Sequence, residues 1–307
     1  MEVIPTLVCL FKNEDIKFRT FTLKSLQTLT PIEIANKIED VYEDNLTSLQ
    51  TALDKCFELG IKSYRISSNL FPKFSYVKEN NLVPQGLILY LETSLRLINT
   101  HNIILSIHPD QFVVMNSHKD DVVKNSVLEL KYHLWLAEYI KIDSINIHVG
   151  GLYNDRANAM RRFIDNMNKY FSRVELNKFT LENDEKSFSA FDVLDICLEL
   201  QIRPTFDIHH YRCYNMKQQY ENELIRYILI EYKKHWVSSG FNYMQVHLSS
   251  PRDDNYLTLK GSSPHADFIH SDDYIDFSFL DFNVVIDIEA KAKEIAVLEF
   301  KDRLILN

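Results

Sequence analysis

"RPTFDIHH", residues 203–210, sets how the whole chain is read. A run of strand-forming residues ends in Asp207, His209 and His210. Successive side chains on a strand point to opposite faces, so these groups cannot all enter one core. Ionisable groups gathered where a buried strand surfaces suggest a site. On this local pattern alone, His209 and His210 are ligands of equal standing.

The same kind of run recurs along the chain. The others are "VIPTLVCL" (3–10), "IKSYRIS" (61–67), "NIILSIH" (102–108), "DSINIHV" (143–149), "KFTLEN" (178–183), "NYMQVHL" (242–248) and "NVVIDIEA" (283–290). Amphipathic stretches lie between them at 46–59, 126–140, 156–171 and 189–201, with apolar residues at three- and four-residue steps. The alternation predicts an α/β fold, a single (β/α)8 TIM barrel occupying 1–307. An open doubly wound sheet is the alternative, but its Gly-rich turn after the first strand is absent.

The last residues of the runs carry the chemistry. His108, His148, Glu182, Asp207 with its neighbouring histidines, His247 and Glu289 close six of them. Their separations of 40, 34, 25, 40 and 42 residues are βα-repeat lengths. In a barrel the carboxyl ends of all strands meet at one face, where catalytic groups sit. Imidazoles and carboxylates brought together there suit Zn2+, Mn2+ or Fe. Carboxylates packed without a cation would repel one another, whereas bridging carboxylates allow a site of several metals for phosphoryl displacement. Taken singly, each histidine has an ordinary structural explanation; their joint placement does not. His101, His118, His133, His235 and His270 fall in helical or loop patterns and are read as surface or packing residues.

The bulk properties narrow the class. Hydrophobic residues make up 46% and charged residues 25%, which argues against disorder of the whole chain. A net charge of −9 argues against non-specific coating of nucleic acid, although bound cations can reverse a local field. Cys9, Cys56, Cys197 and Cys213 form no CxxC, so neither a disulfide framework nor a zinc ribbon is expected, and an intracellular setting is. The first residues do not read as a signal peptide, and no apolar run of about 18 residues predicts a membrane span.

Ordered signatures from about residue 60 to 293 resemble the UV damage endonuclease (UVDE) family, related to endonuclease IV among the xylose-isomerase-like barrels. They are "YRISSNLFP" (64–72), "IHPDQF" (107–112), "IHVGG" (147–151), "LENDE" (181–185), "FDIHH" (206–210), "VHLSS" (246–250), "PHADFI" (264–269) and "EAKAKE" (289–294). The resemblance implies a metal-dependent nick 5′ to UV photoproducts in damaged double-stranded DNA, leaving a 3′-hydroxyl and a 5′-phosphate. It implies two or three divalent ions per chain, Mn2+ first, with Zn2+ or Mg2+ as alternatives. By position, the metal residues are His108, His148, Glu182, Asp207, His210, His247, His265 and Glu289, with Glu182, Asp207, His247 and Glu289 also catalytic. His210 is thereby preferred, and His209 becomes a supporting residue.

Gln111 and Phe112 would wedge into the duplex at the lesion, and Asn13 would contact it. The sequence departs from the pattern in three places. Tyr76 stands where the family has a histidine, Gln245 where it often has a lysine, and "TLVCLFKNED" lacks a Gly-Tyr pair. Arg65, Arg161 and Arg162 are candidates for holding the DNA backbone. A monomer acting wherever the DNA lies, in cytoplasm, nucleoid or nucleus, is expected. The alternatives are an apurinic-site endonuclease, a sugar isomerase or epimerase of the same architecture, or a catalytically weakened damaged-DNA binder.

Overall fold

The computed structural model describes residues 1–215, 221–252 and 264–306. Eight parallel strands close into a barrel in chain order: β1 (Val3–Val8), β2 (Ser63–Ile66), β3 (Ile104–Ile107), β4 (Ser144–His148), β5 (Phe179–Glu182), β6 (Arg203–Asp207), β7 (Tyr243–Leu248) and β8 (Asn283–Ile288). Each falls within one of the apolar runs and is shorter than it. Helices cover the outside of the barrel, as the TIM-barrel reading requires.

The strands are buried on both faces, and the two faces differ in kind. Leu105, Ile107, Ile145, Ile147, Leu181, Phe206, Val246, Ile286 and their neighbours join the hydrophobic core with the helices. The alternate positions are polar and equally buried: Thr6, Ser63, Ser106, Ser144, Asn146, Thr180, Thr205, Gln245 and Asp287. These fill the lumen. Ser144 on β4 donates to Gln245 Oε1 on β7, strands that are not neighbours, so that bond crosses the barrel. Thr6 Oγ1 donates to Ser63 Oγ at 2.8 Å, and Gln245 Nε2 donates to Asp287 Oδ1 at 3.1 Å. Barrel interiors are usually filled by branched aliphatic layers. A polar filling stays stable only where its members satisfy one another.

Two helices begin well before the stretches read from the sequence. The stretch 46–59 is the second half of Pro31–Glu58, which starts at a capping box. There Thr30 Oγ1 accepts from Glu33 N, and the Glu33 carboxylate accepts from Thr30 N, with Pro31 in the first turn. The stretch 126–140 likewise lies within Asp120–Ile140. No described helix is long and apolar enough to cross a membrane.

The fully buried His133 links fold to pH. Burial pushes its pKa down from 6.5 to about 4, against a hydrogen bond to the Glu129 carbonyl that raises it. A base held below its unfolded value is neutral when folded and takes a proton on unfolding in acid. Its stabilising contribution is therefore complete above about pH 6.5 and lost progressively towards pH 4. The full effect is on the order of 3 kcal/mol. Urea midpoints between pH 7 and 4.5 are expected to fall less steeply for His133→Asn than for the wild type. Parallel slopes would contradict this assignment.

Candidate metal centre

The β6 terminus resolves the ambiguity of "FDIHH". The strand stops at Asp207 and a short helix, Ile208–Asn215, starts at once. His210 N donates to Asp207 Oδ1 at 2.7 Å, so Asp207 caps that helix while its other oxygen, Oδ2, faces the cluster. His209 and His210 are thus helical, not extended, and diverge by the helical turn. His210 turns inward: its Nδ1 lies 3.2 Å from Glu182 Oε1 and 3.4 Å from Asp207 Oδ2. His209 is buried facing away, with Nε2 3.6 Å from Cys213 Sγ and its ring 5.5 Å from that of His265.

Around Glu182 the strand ends converge. Sheet register sets His148 beside Glu182 and Asp207 beside His247. His108 Nε2 and His247 Nδ1 each lie 3.2 Å from Glu182 Oε2. His247 Nδ1 is also 3.5 Å from Glu289 Oε1 and 4.0 Å from Asp207 Oδ2. Two trios of potential ligand atoms result, His108–His148–Glu182 and Glu182–Asp207–His247, each within 4.8 Å and sharing Glu182. Glu289 and His265 flank them: His265 Nδ1 lies 2.7 Å from the Glu289 carbonyl and 3.8 Å from its Oε2.

The donors fit a divalent cation. His148 Nδ1, Asp207 Oδ2 and His247 Nδ1 are buried without a hydrogen bond. Buried polar atoms normally have a partner, and these three residues all belong to the two trios, where a cation would supply one. Burial alone would raise the Glu182 carboxyl. His247, His148 and hydrogen bonds from His108 and His210 outweigh it and hold the carboxyl well below its usual range. Asp207 lacks that support. Burial, with the Glu182 and Glu289 charges, pushes it up to about 7 against His210 and His247. Burial lowers His148 to about 4, which leaves the neutral imidazole that a metal needs.

The lumen beneath supports these groups. Thr180 Oγ1 donates to Asn146 Oδ1 at 2.9 Å, and the Asn146 amide in turn donates to Glu182 Oε2. Asp287 is fully buried, with Oδ2 3.3 Å from His247 Nε2. A carboxylate behind a ligating imidazole fixes its tautomer and ring plane. Asp287→Asn is therefore expected to weaken Mn2+ affinity by roughly 10- to 100-fold, read by calorimetry. Affinity within twofold of wild type would remove Asp287 from this role. Asn146, Thr180 and Asp287 were missed in the sequence. The signal was there: each stands two residues before a strand-end group, as in "NIH", "TLE" and "DIE".

The remaining expected residues divide. Gln111 and Phe112 form an exposed turn beyond β3, closed by Val113 N donating to Asp110 O at 3.0 Å, and Phe112 is 79% exposed. Gln111 borders a cavity of about 450 Å3 that reaches His148 and His210. Asn13 is exposed and tied by its backbone N–H to Glu294 Oε1 at 2.8 Å. Gln245 is buried in the lumen, not at the mouth. Tyr76 is 43% exposed on the helix Phe74–Glu79 and contacts no member of the cluster.

The three candidate arginines all have partners within the protein. Arg65 Nη1 is locked between Glu289 Oε1 at 2.5 Å and Asp287 Oδ2 at 3.2 Å, because the lumen carboxylates need a counter-charge. Arg161 pairs with Glu199 at 2.5 Å, and Arg162 Nε donates to the Asn116 carbonyl at 3.0 Å. Arg65 and Arg161 thus have carboxylate partners, and Arg162 a neutral one.

Comparison with known proteins agrees with this architecture. The family model described as UV-endonuclease UvdE matches residues 6–306. A UV DNA damage endonuclease of Bacillus cereus (strain Q1) is 31% identical over 303 residues, covering 92% of this chain and 87% of its own. The crystal structure of SacUVDE superposes with a TM-score of 0.79 at 28% identity, covering 100% of this chain and 98% of its own. Endonuclease IV from Thermus thermophilus shares the fold at 12% identity and a TM-score of 0.58, over 84% of this chain and 95% of its own. The barrel, the cluster at its carboxyl face and these likenesses lead to one assignment: the chain belongs to the UV-endonuclease UvdE family.

Proposed function

We propose that this chain is a metal-dependent DNA repair endonuclease that nicks damaged duplex DNA immediately 5′ to UV photoproducts. Hydrolysis adds water across the P–O3′ bond and yields a 3′-hydroxyl and a 5′-phosphate. The observation that carries the reading is the pair of imidazole–carboxylate trios sharing Glu182, beside an exposed Gln111–Phe112 turn. A closed sugar pocket has no use for such an aromatic probe.

Bound divalent ions would supply Lewis-acid activation of water and charge neutralisation at phosphorus. His108 and His148 would hold one ion and Asp207 and His247 another, with Glu182 common to both. His210, Glu289 and His265 would complete the ligand set around them. Asn146 and Asp287 keep Glu182 and His247 oriented before any ion arrives. Phe112 and Gln111 would enter the duplex where damaged bases are unstacked, filling the gap with a ring and a planar amide.

The test is nicking of UV-irradiated plasmid with Mn2+. Nicking no faster than on unirradiated plasmid would overturn lesion specificity. Faster cutting of an abasic oligonucleotide would make the chain an apurinic-site endonuclease instead. Removing one stacking ring costs about 1–3 kcal/mol. Phe112→Ala is therefore expected to lower the preference for irradiated DNA by roughly 10- to 100-fold, with metal content unchanged. An unaltered preference would exclude the wedge.

A further inference from the structure

On the β1–β8 side of the cluster lies a second cavity, about 330 Å3, bordered by Arg65, His265, Glu289, Lys291 and Lys293. Beside it the loops after β1 and β8 are fastened together. Glu294, buried at the start of the helix Glu294–Leu306, accepts from Lys12 N at 2.7 Å and Asn13 N at 2.8 Å. The loop after β1 is held further by Tyr64 Oη, which donates to the Cys9 carbonyl at 2.6 Å. Cys9 and Lys293 lie on either side of this seam, and both take the left-handed backbone, at φ 62° and 55°. Neither is glycine, so the surroundings impose that conformation.

Lys293 is the unusual group. It is half-buried, and its Nζ makes only a long contact, 3.5 Å to the Val8 carbonyl. Among the described residues it forms no ion pair, although Glu289 borders the same cavity. Arg65 already holds Glu289 and Asp287 at 2.5 and 3.2 Å. Partial burial, with Arg65 nearby, keeps the lysine amine below its ordinary pKa, the mark of a cation short of counter-charge. Lys186 at the mouth pairs with Glu185 at 3.2 Å, whereas Lys291, on the border of the same cavity, is exposed to solvent. An ammonium held by strained backbone, unpaired, at the edge of a metal-type cluster suits an anion that the cluster also binds.

We propose that Lys293 grips a non-bridging oxygen of the DNA phosphate engaged by the metal cluster, from the β1–β8 side, and stabilises the charge that gathers there during hydrolysis. The proposal rests on the endonuclease reading for its substrate. A fixed donor aimed at developing charge is expected to act more on kcat than on DNA affinity.

Inorganic phosphate tests it without DNA. Binding to the manganese-loaded protein is followed by 31P line broadening, with manganese per chain measured in parallel. Lys293→Gln is expected to weaken phosphate binding at least roughly tenfold, with manganese content unchanged. Lys293→Arg, which keeps the charge, is expected to stay within about fivefold of wild type. Unchanged phosphate affinity in Lys293→Gln overturns the proposal. So does a parallel loss of manganese, or equal loss in both variants. On irradiated plasmid, Lys293→Gln is expected to lose about 100-fold in kcat, with DNA affinity within about threefold. Failure of the wild type to nick irradiated DNA would sink the endonuclease reading and leave the phosphate result standing on its own.

Discussion

Glu182→Gln is expected to lose manganese at both trios together and to slow nicking at least a thousandfold. Glu182 is the residue that the two trios have in common, and it is 1% exposed. The substitution preserves volume and leaves an oxygen for the Asn146 amide. What disappears is the negative charge. His108, His210 and His247 each approach to 3.2 Å from one of the two carboxylate oxygens, so no other side chain can serve all three in its place. A thousandfold loss corresponds to about 4 kcal/mol of barrier, within reach of a lost bridging charge in a buried site. Calorimetry with Mn2+ and single-turnover nicking check it. Unchanged manganese stoichiometry with nicking within tenfold of wild type would show that the trios are not the metal site.

Arg65→Leu is expected to destabilise the metal-free protein by about 3–5 kcal/mol, because it strands buried carboxylates without their counter-charge. The Asp287 side chain is 0% exposed and that of Glu289 13%, and Arg65 Nη1 touches both. Burial alone would raise the Glu289 carboxyl; Arg65 is the main influence pulling it down, far below its ordinary value. For Asp287, His247 outranks Arg65 in the same direction. The pH dependence follows. In the wild type both carboxyls are held below their unfolded values. Their contribution is therefore present above those values and lost as pH falls. Without Arg65, burial is far less offset at Glu289, whose folded carboxyl then holds its proton more tightly, while His247 still acts on Asp287. The deficit against wild type is then largest near neutral pH and shrinks towards pH 5. Urea midpoints at pH 7.5 and 5 read this directly, and Mn2+ is expected to narrow the gap at pH 7.5. A deficit that grows in acid would refute the account.

The two substitutions probe charge from opposite sides. Glu182, Asp207, Asp287 and Glu289 crowd one end of the lumen, and Arg65 reaches only the last two. His210 and His247 offset part of that charge, and the elevated Asp207 marks the part left over. A divalent cation would complete the balance, which is why the metal is argued from the protein's own electrostatics.

Much of this arrangement was legible in the chain. The strand runs sit where expected because short β-branched and aliphatic segments bounded by polar residues have few other uses. The helices at Arg156–Tyr170 and Ala190–Leu200 match their periodicity nearly to the residue. The stretch 46–59 placed the start of Pro31–Glu58 too late. Its apolar pattern already runs through Ile34, Ile38, Val41 and Tyr42, and its start is marked by the Thr30–Glu33 capping box. Arg65 was misplaced for another reason. A strand's period of two says that Arg65 shares a face with Ser63 but not that Asp287 and Glu289 stand across from it, 222 and 224 residues away.

Local patterning was enough for the barrel and for the residue types at its carboxyl face. Strand and helix periods are properties of short segments, and repeat spacing forces parallel strand ends to one side. Three-dimensional packing was needed to show which groups share one carboxylate, which histidine of "FDIHH" turns inward, and which cation is left unpaired. Those depend on side-chain direction at a helix start and on partners far along the chain. Charge balance in a buried lumen is a sum over all of them, and no single segment carries it.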